Sequence, residues 1–123
     1  LAERNLTPFV GGENISPIEI EDRLLEHPSV KECCVVGLED SLYGEVVSCF
    51  LGSAGGMRPA DQEIRSWVTA EMDHTKAPRY IFWLGEPDVG EELPKTGSGK
   101  YQKHLIRAIG DGLVKSRNVR AKL

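Results

Sequence analysis

The chain of 123 residues carries 15 Lys plus Arg against 19 Asp plus Glu, a formal net charge of −4, and 40% hydrophobic and 28% charged residues. That balance describes one globular domain with a modest core, too apolar to be disordered. No apolar run reaches the roughly 20 residues that span a bilayer, and the opening LAERNLTPFV lacks the basic-then-apolar order of a secretory leader, so neither a membrane span nor a leader is expected.

Ser16-Pro17-Ile18-Glu19 has the form of a capping box with proline at the first helical position, and Ile20, Leu24 and Leu25 follow at helical spacing until Pro28. This predicts a helix of about three turns. Val30–Gly37 and Val46–Leu51 are short runs rich in β-branched residues, separated by turn-prone residues 39–45, and read as two adjacent buried strands; the glycine-rich stretch 52–56 ends the second. From Pro59 to Met72, Ile64, Trp67, Val68 and Met72 share one helical face, with Asp61 and Glu63 in the first turn where the helix dipole favours acids. Tyr80–Leu84 is a third strand. Leu105, Ile106, Ile109 and Leu113 mark a last helix that Gly110 and Gly112 are expected to fray. The order predicts an α+β domain, a small mixed sheet covered by about three helices. Trp67, Trp83 and Tyr80 read as core, and Lys76, Arg79 and Lys103 as solvated charge.

Cysteine and histidine usage points away from cross-links and metals. Cys33 and Cys34 are neighbours whose side chains leave a strand on opposite faces, no CxxC occurs, and His27, His74 and His104 are far apart, so a reducing compartment, no disulfide framework and no metal site are expected.

Charge is unevenly divided. Residues 1–94 hold 18 acidic and 7 basic side chains, whereas residues 95–123 hold 1 acidic and 8 basic, a local net charge of +7 suited to meeting anions such as phosphate. Within that basic part lies Pro94-Lys95-Thr96-Gly97-Ser98-Gly99-Lys100. Its GSGK is not a Walker loop, because position 94 is Pro instead of Gly and position 101 is Tyr instead of a hydroxyl that would hold magnesium. Gly97 and Gly99 leave Lys100 unshielded, able to enter a cleft as a movable point charge; the same glycines also suit a plain surface turn. Nucleic acid is not an expected partner, since Tyr101 is the sole aromatic among the basic residues.

Five separated motifs carry a resemblance. GGENISPIEIE (residues 11–21), HPSV (27–30), VVG (35–37) with Asp40 and Gly44-Glu45, KAPRY (76–80) and LPKTGSGK (93–100) are similar, in order and spacing, to the C-terminal domain of the adenylate-forming acyl-CoA synthetases. The resemblance implies the small mobile lid of an enzyme that joins a carboxylic acid to ATP, then exchanges AMP for coenzyme A. It makes Lys100 the adenylation lysine, residues Lys95, Thr96, Gly97, Ser98 and Gly99 its phosphate-side loop, and Gly11, Gly12, Glu13 and Asn14 the loop on the coenzyme A channel. ATP and coenzyme A would be substrates, with Mg2+ accompanying ATP in an N-terminal AMP-binding domain. That domain, in the same chain or separate, would be the partner, and nothing would be bound by this chain alone.

The resemblance further divides the chain into an atypical hinge remnant (1–10), the lid domain (11–112) and a basic tail (113–123) that reads as extended. Residues 4–10 depart from the family's hinge pattern, and Pro8 is expected to break a strand. The wording of GGENISPIEIE and SGKYQK is closer to fatty-acid and medium-chain synthetases than to aryl ones. Ala121-Lys122-Leu123 is close to the Ser-Lys-Leu address of peroxisomes, the expected location, with the cytoplasm otherwise. The alternative to a catalytic lid is a non-catalytic binding or regulatory module of the same fold.

Overall fold

The computed structural model describes residues 7–8 and 14–121, with side chains from 15 to 118. Expectations for Gly11, Gly12, Glu13, most of the hinge segment, Lys122 and Leu123 fall outside that range. The described elements run β1 (Thr7–Pro8), β2 (Asn14–Ile15), α1 (Pro17–Leu25), β3 (Val30–Asp40), β4 (Gly44–Ser53), α2 (Asp61–Thr69), β5 (Tyr80–Trp83) and α3 (Lys103–Ala121), with a 3-10 turn at His74–Lys76. The mixed sheet and three helices are as expected.

Several boundaries differ from the sequence reading for identifiable reasons. Pro8 does not break its strand but pairs with Asn14 in the antiparallel β1–β2 ribbon, where a two-stranded edge needs no further donor. Ser16 is the N-cap of α1 with Pro17 inside the first turn, yet its side chain makes no cap hydrogen bond, so the capping box is not formed. Ile20 and Leu24 are fully buried, while Leu25 is 45% exposed, off the apolar stripe. The β3–β4 hairpin extends beyond both apolar runs and closes at Asp40 opposite Gly44, because backbone ladders continue through polar residues when the turn is held from within. Here Asp40 Oδ2 accepts from the Leu42 and Tyr43 N–H groups, both at 3.0 Å, and Gly44 takes φ +87°.

β3 and β4 are antiparallel, and β5 joins the other side of β4 in parallel after the α2 crossover, giving the order β3-β4-β5. Alternation along the strands builds two cores. On one face Cys33, Val35, Val47, Cys49, Leu51, Ile81 and Trp83 pack against Ile20 and Leu24 of α1 and Ile64 and Val68 of α2. On the other, Cys34, Val36, Leu38, Phe50 and Phe82 pack against Ile106, Leu113 and Val114 of α3. A register shift between Val30 and Glu32 puts Val30 on the face of Cys33, while ordinary alternation keeps Glu32 on the α3 side with Cys34.

α3 is not frayed by its glycines. Gly110 lies flat on the sheet, where an added Cβ would come within 2.8 Å of both Leu38 methyls, so its lack of a side chain is what lets the helix approach. Residues 113–121 continue the helix and are not extended. Arg117 secures this end, donating to Asp88 at 2.9 and 3.0 Å with its guanidinium 4.9 Å from the Phe82 ring.

The three cysteines are free and buried. Burial pushes the Cys34 thiol up to about 12, with nearby Lys103 opposing the shift, so it is a poor nucleophile at neutral pH. Among the described residues no helix is long and apolar enough to cross a membrane.

Candidate functional site

The segment between β5 and α3 forms a self-closed loop. Lys95 and Tyr101 pair as an antiparallel bridge, and beyond it the Thr96 N–H donates to the Lys100 carbonyl at 2.8 Å and the Gly99 N–H to the Thr96 carbonyl at 2.9 Å. Gly99 sits at φ +89°, in the left-handed region that other side chains rarely adopt, which makes this turn depend on glycine there. Thr96 Oγ1 accepts from the Lys100 N–H at 3.2 Å and lies 3.0 Å from Ser98 Oγ, so the threonine hydroxyl stitches the inside of the turn. Gln102 ties the loop to α3: its N–H donates to the Pro94 carbonyl at 3.0 Å and its side-chain amide to the Lys95 carbonyl at 2.9 Å.

Lys100 therefore leaves an ordered turn, exposed, and among the described residues no carboxylate pairs with its ammonium. It borders a shallow groove whose other wall is the start of α1, lined by Pro17, Ile18, Glu21, Tyr101 and Lys103. The chain enters α1 from Asn14, whose backbone lies in β2. The expected loop at residues 11–13 precedes it, outside the described residues.

Lys95 and Lys103, neighbours of Lys100 in the basic segment, have different tasks. Lys95 Nζ is 3.3 Å from Glu32 Oε2 and 5.1 Å from the Tyr101 ring centre, and Tyr101 Oη donates to that same carboxylate oxygen at 2.6 Å. Burial, then the bond to Glu32, pushes the Tyr101 phenol well above the ordinary tyrosine range and keeps it a donor. Lys103 is not simply solvated, since its ammonium meets Glu21 Oε2 at 2.9 Å. That oxygen also accepts the Val35 N–H at 2.7 Å, covering a donor on the outer edge of β3.

Arg79 too is paired. It donates to Asp40 Oδ1 at 3.2 Å, beside Tyr80 Oη at 2.7 Å, and its guanidinium lies 5.1 Å from the Tyr43 ring. The Tyr80 hydroxyl, followed by the Tyr43 and Leu42 backbone donors and Arg79, holds the Asp40 carboxyl below its ordinary range. Trp67 is half-buried between α1 and α2, its indole N–H donating to the Arg23 carbonyl while Arg23 Nε donates to the Trp67 carbonyl, both at 2.8 Å.

The comparisons with known proteins agree with this fold. The model of the AMP-binding enzyme C-terminal domain matches residues 19–100. The chain belongs to that family. An acyl-CoA ligase of Penicillium expansum, cnsG, is 50% identical over 85% of this chain and 22% of its own length. The acyl-CoA ligase sidI of Beauveria bassiana is 47% identical over 92% of this chain and 20% of its own. Among solved structures, the acyl-CoA synthetase of Brucella canis aligns with a TM-score of 0.76 at 32% identity, over 89% of this chain and 20% of that one. This AMP-binding C-terminal domain thus spans about a fifth of the length of the proteins it matches.

Glu32 and Tyr101 escaped the sequence reading as members of the site. They are 69 residues apart, and neither carries a motif that announces a pairing. Alternation gives the face of Glu32, but which later residue meets it there is set by packing and not by local composition.

Proposed function

We infer that this chain is the catalytic lid of an AMP-forming acid-thiol ligase, acting with an N-terminal AMP-binding domain. The observation that carries the reading is the Lys100 ammonium, exposed and unpaired among the described residues, on a turn whose threonine and serine hydroxyls are used internally. In the first half-reaction a carboxylate oxygen attacks the α-phosphate of ATP, forming an acyl-adenylate and releasing pyrophosphate. Two anions converge there, and a cation between them stabilises the transition state more than the separated reactants. In the second, the coenzyme A thiolate attacks the acyl carbon and AMP departs; no comparable anion pair forms, so the lysine is not needed.

Residues 11–14 are assigned to the coenzyme A side, where glycine permits close approach to a slender pantetheine arm. The Mg2+ that accompanies ATP is assigned, with ATP, to the N-terminal domain. Fatty or medium-chain acids are the proposed substrates on the wording of residues 11–21 and 98–103. Where Leu123 is the natural terminus, Ala121-Lys122-Leu123 supports import into peroxisomes.

The test uses the complete two-domain enzyme with its half-reactions assayed separately. Lys100→Ala is expected to suppress acid-dependent pyrophosphate release while sparing thioester formation from added acyl-adenylate; Gly12→Leu is expected to do the reverse. If the complete wild-type enzyme released no pyrophosphate with any fatty, medium-chain or aryl acid, the domain would be a non-catalytic module.

A further inference from the structure

We propose that Glu32 is the positioning residue of the Lys100 loop. The proposal rests on Lys100 being the adenylation lysine and concerns how that lysine is aimed.

The turn from Thr96 to Lys100 is held by bonds within itself, which fix its shape but not its direction. Direction is set at its base, where Lys95 and Tyr101 bridge. Both of these residues converge on one atom, Glu32 Oε2, from which Tyr101 Oη is 2.6 Å and Lys95 Nζ 3.3 Å away. A single carboxylate on the sheet thereby grips both strands of the loop's stem. Charge assistance makes such contacts roughly twice as strong as neutral ones, and Glu32 is only 27% exposed, so solvent screens the grip incompletely.

Two features of the fold hold Glu32 ready for this task. Regular alternation with Cys33 and Cys34 puts its side chain on the α3 side. Opposite it on β4 stands Gly52, where an added Cβ would lie 2.9 Å from Glu32 Cβ and 3.3 Å from its Oε1. The glycine clears the space in which the carboxylate turns toward the loop. Glu21 reinforces the arrangement one step further along, through Lys103 at the start of α3. In the chain Lys100 lies between Lys95 and Tyr101, the two residues that Glu32 holds.

A positioning residue acts only through the group it positions, and this separates it from a residue that merely stabilises the fold. In the complete enzyme, Glu32→Ala and Tyr101→Phe are expected to slow adenylate formation about 10-fold to 100-fold, with the larger effect for Glu32→Ala, mainly in kcat. Thioester formation from added acyl-adenylate should stay unchanged. Glu32→Gln, which keeps an acceptor for Tyr101, should recover the rate to within about threefold of wild type. In a Lys100→Ala background, Glu32→Ala should cause no further loss.

Equal losses in both half-reactions, a further loss in the Lys100→Ala background, or a normal adenylation rate for the soluble Tyr101→Phe variant would each overturn the proposal. Lys100→Ala run alongside keeps the two ideas distinct. If it leaves adenylation intact, the role of Lys100 fails. If it abolishes adenylation while Glu32→Ala and Tyr101→Phe do not slow it, only the positioning role of Glu32 fails.

Discussion

Asp40 and Glu32 each gather two donors from distant parts of the chain, yet they are built for opposite ends. Asp40 closes its own turn with one oxygen and takes Arg79 and Tyr80 with the other, and its side chain is only 6% exposed. The cation it takes, Arg79, is held in that pairing. Glu32 stands on a strand and grips the stem of a loop 63 to 69 residues away, leaving the ammonium of Lys100 beside that stem unspent. The same chemical group thus serves to finish a structure in one place and to present a charge in the other. A surface cation is informative about chemistry when its neighbours are anchored and it is not.

The sharpest way to break this contrast is to remove the presented charge. Lys100→Ala should lower adenylate formation by about 10²–10³-fold, within the range found for losing one electrostatic stabiliser of a transition state, with thermal stability unchanged. Single-turnover pyrophosphate release and a melting curve measure both. A melting temperature that fell in step with the rate would place Lys100 among the structural charges, alongside Arg79.

Next in size is the platform under the loop. Gly52→Ala should destabilise the domain by about 1–3 kcal/mol, since the new methyl meets a backbone-attached carbon and not the movable end of a side chain. Denaturant titration gives the value, and an unaffected midpoint would mean that the strands yield enough to admit it.

Asp40→Asn should cost about 1 kcal/mol at neutral pH by weakening the bonds to Tyr80 and Arg79. Its pH dependence follows from the sign of the shift. Because folding lowers the Asp40 pKa, the carboxylate's contribution is complete above the unfolded value of about 3.9 and is lost as pH falls through the lower folded value. Wild type and Asp40→Asn should therefore converge in stability below about pH 4, and parallel curves down to pH 2 would count against the assignment.

The smallest effect concerns Tyr101 in alkali. Its raised pKa means the folded state keeps a proton that the unfolded chain gives up above about pH 10, so stability should drop with rising pH there. Tyr101→Phe should flatten part of that slope in melting curves taken between pH 9 and about 11.

How much of this was legible in the sequence depends on the range of the interaction. Helix and strand positions followed from periodicity, as with Ile20 and Leu24 or the alternating Cys33 and Cys34. Lys100 is singled out in the sequence by its motif and by the glycines beside it, and the structure leaves its side chain exposed. What escaped were consequences of packing. The last helix survives its glycines because Gly110 has Leu38 to lie on, and Lys103 finds Glu21 across 82 residues. The capping box failed the other way: its residues are present, but the hydroxyl of Ser16 makes no cap bond. Neither Glu32 nor Tyr101 belongs to a local pattern, so only the fold could bring them together.

The uninterrupted course of α3 makes the domain its own lever arm. Nineteen residues at 1.5 Å each form a rod of about 28 Å, fixed beside the loop by Gln102 and Lys103 and toward its other end by Arg117, so it moves with the whole domain. Rotating the whole domain by about 10° about the loop carries the far end through about 5 Å of arc, a displacement that a pair of spectroscopic labels resolves. A label at exposed Ser116 would thus read, at a distance and without touching the chemistry, which way the lysine is pointing during turnover.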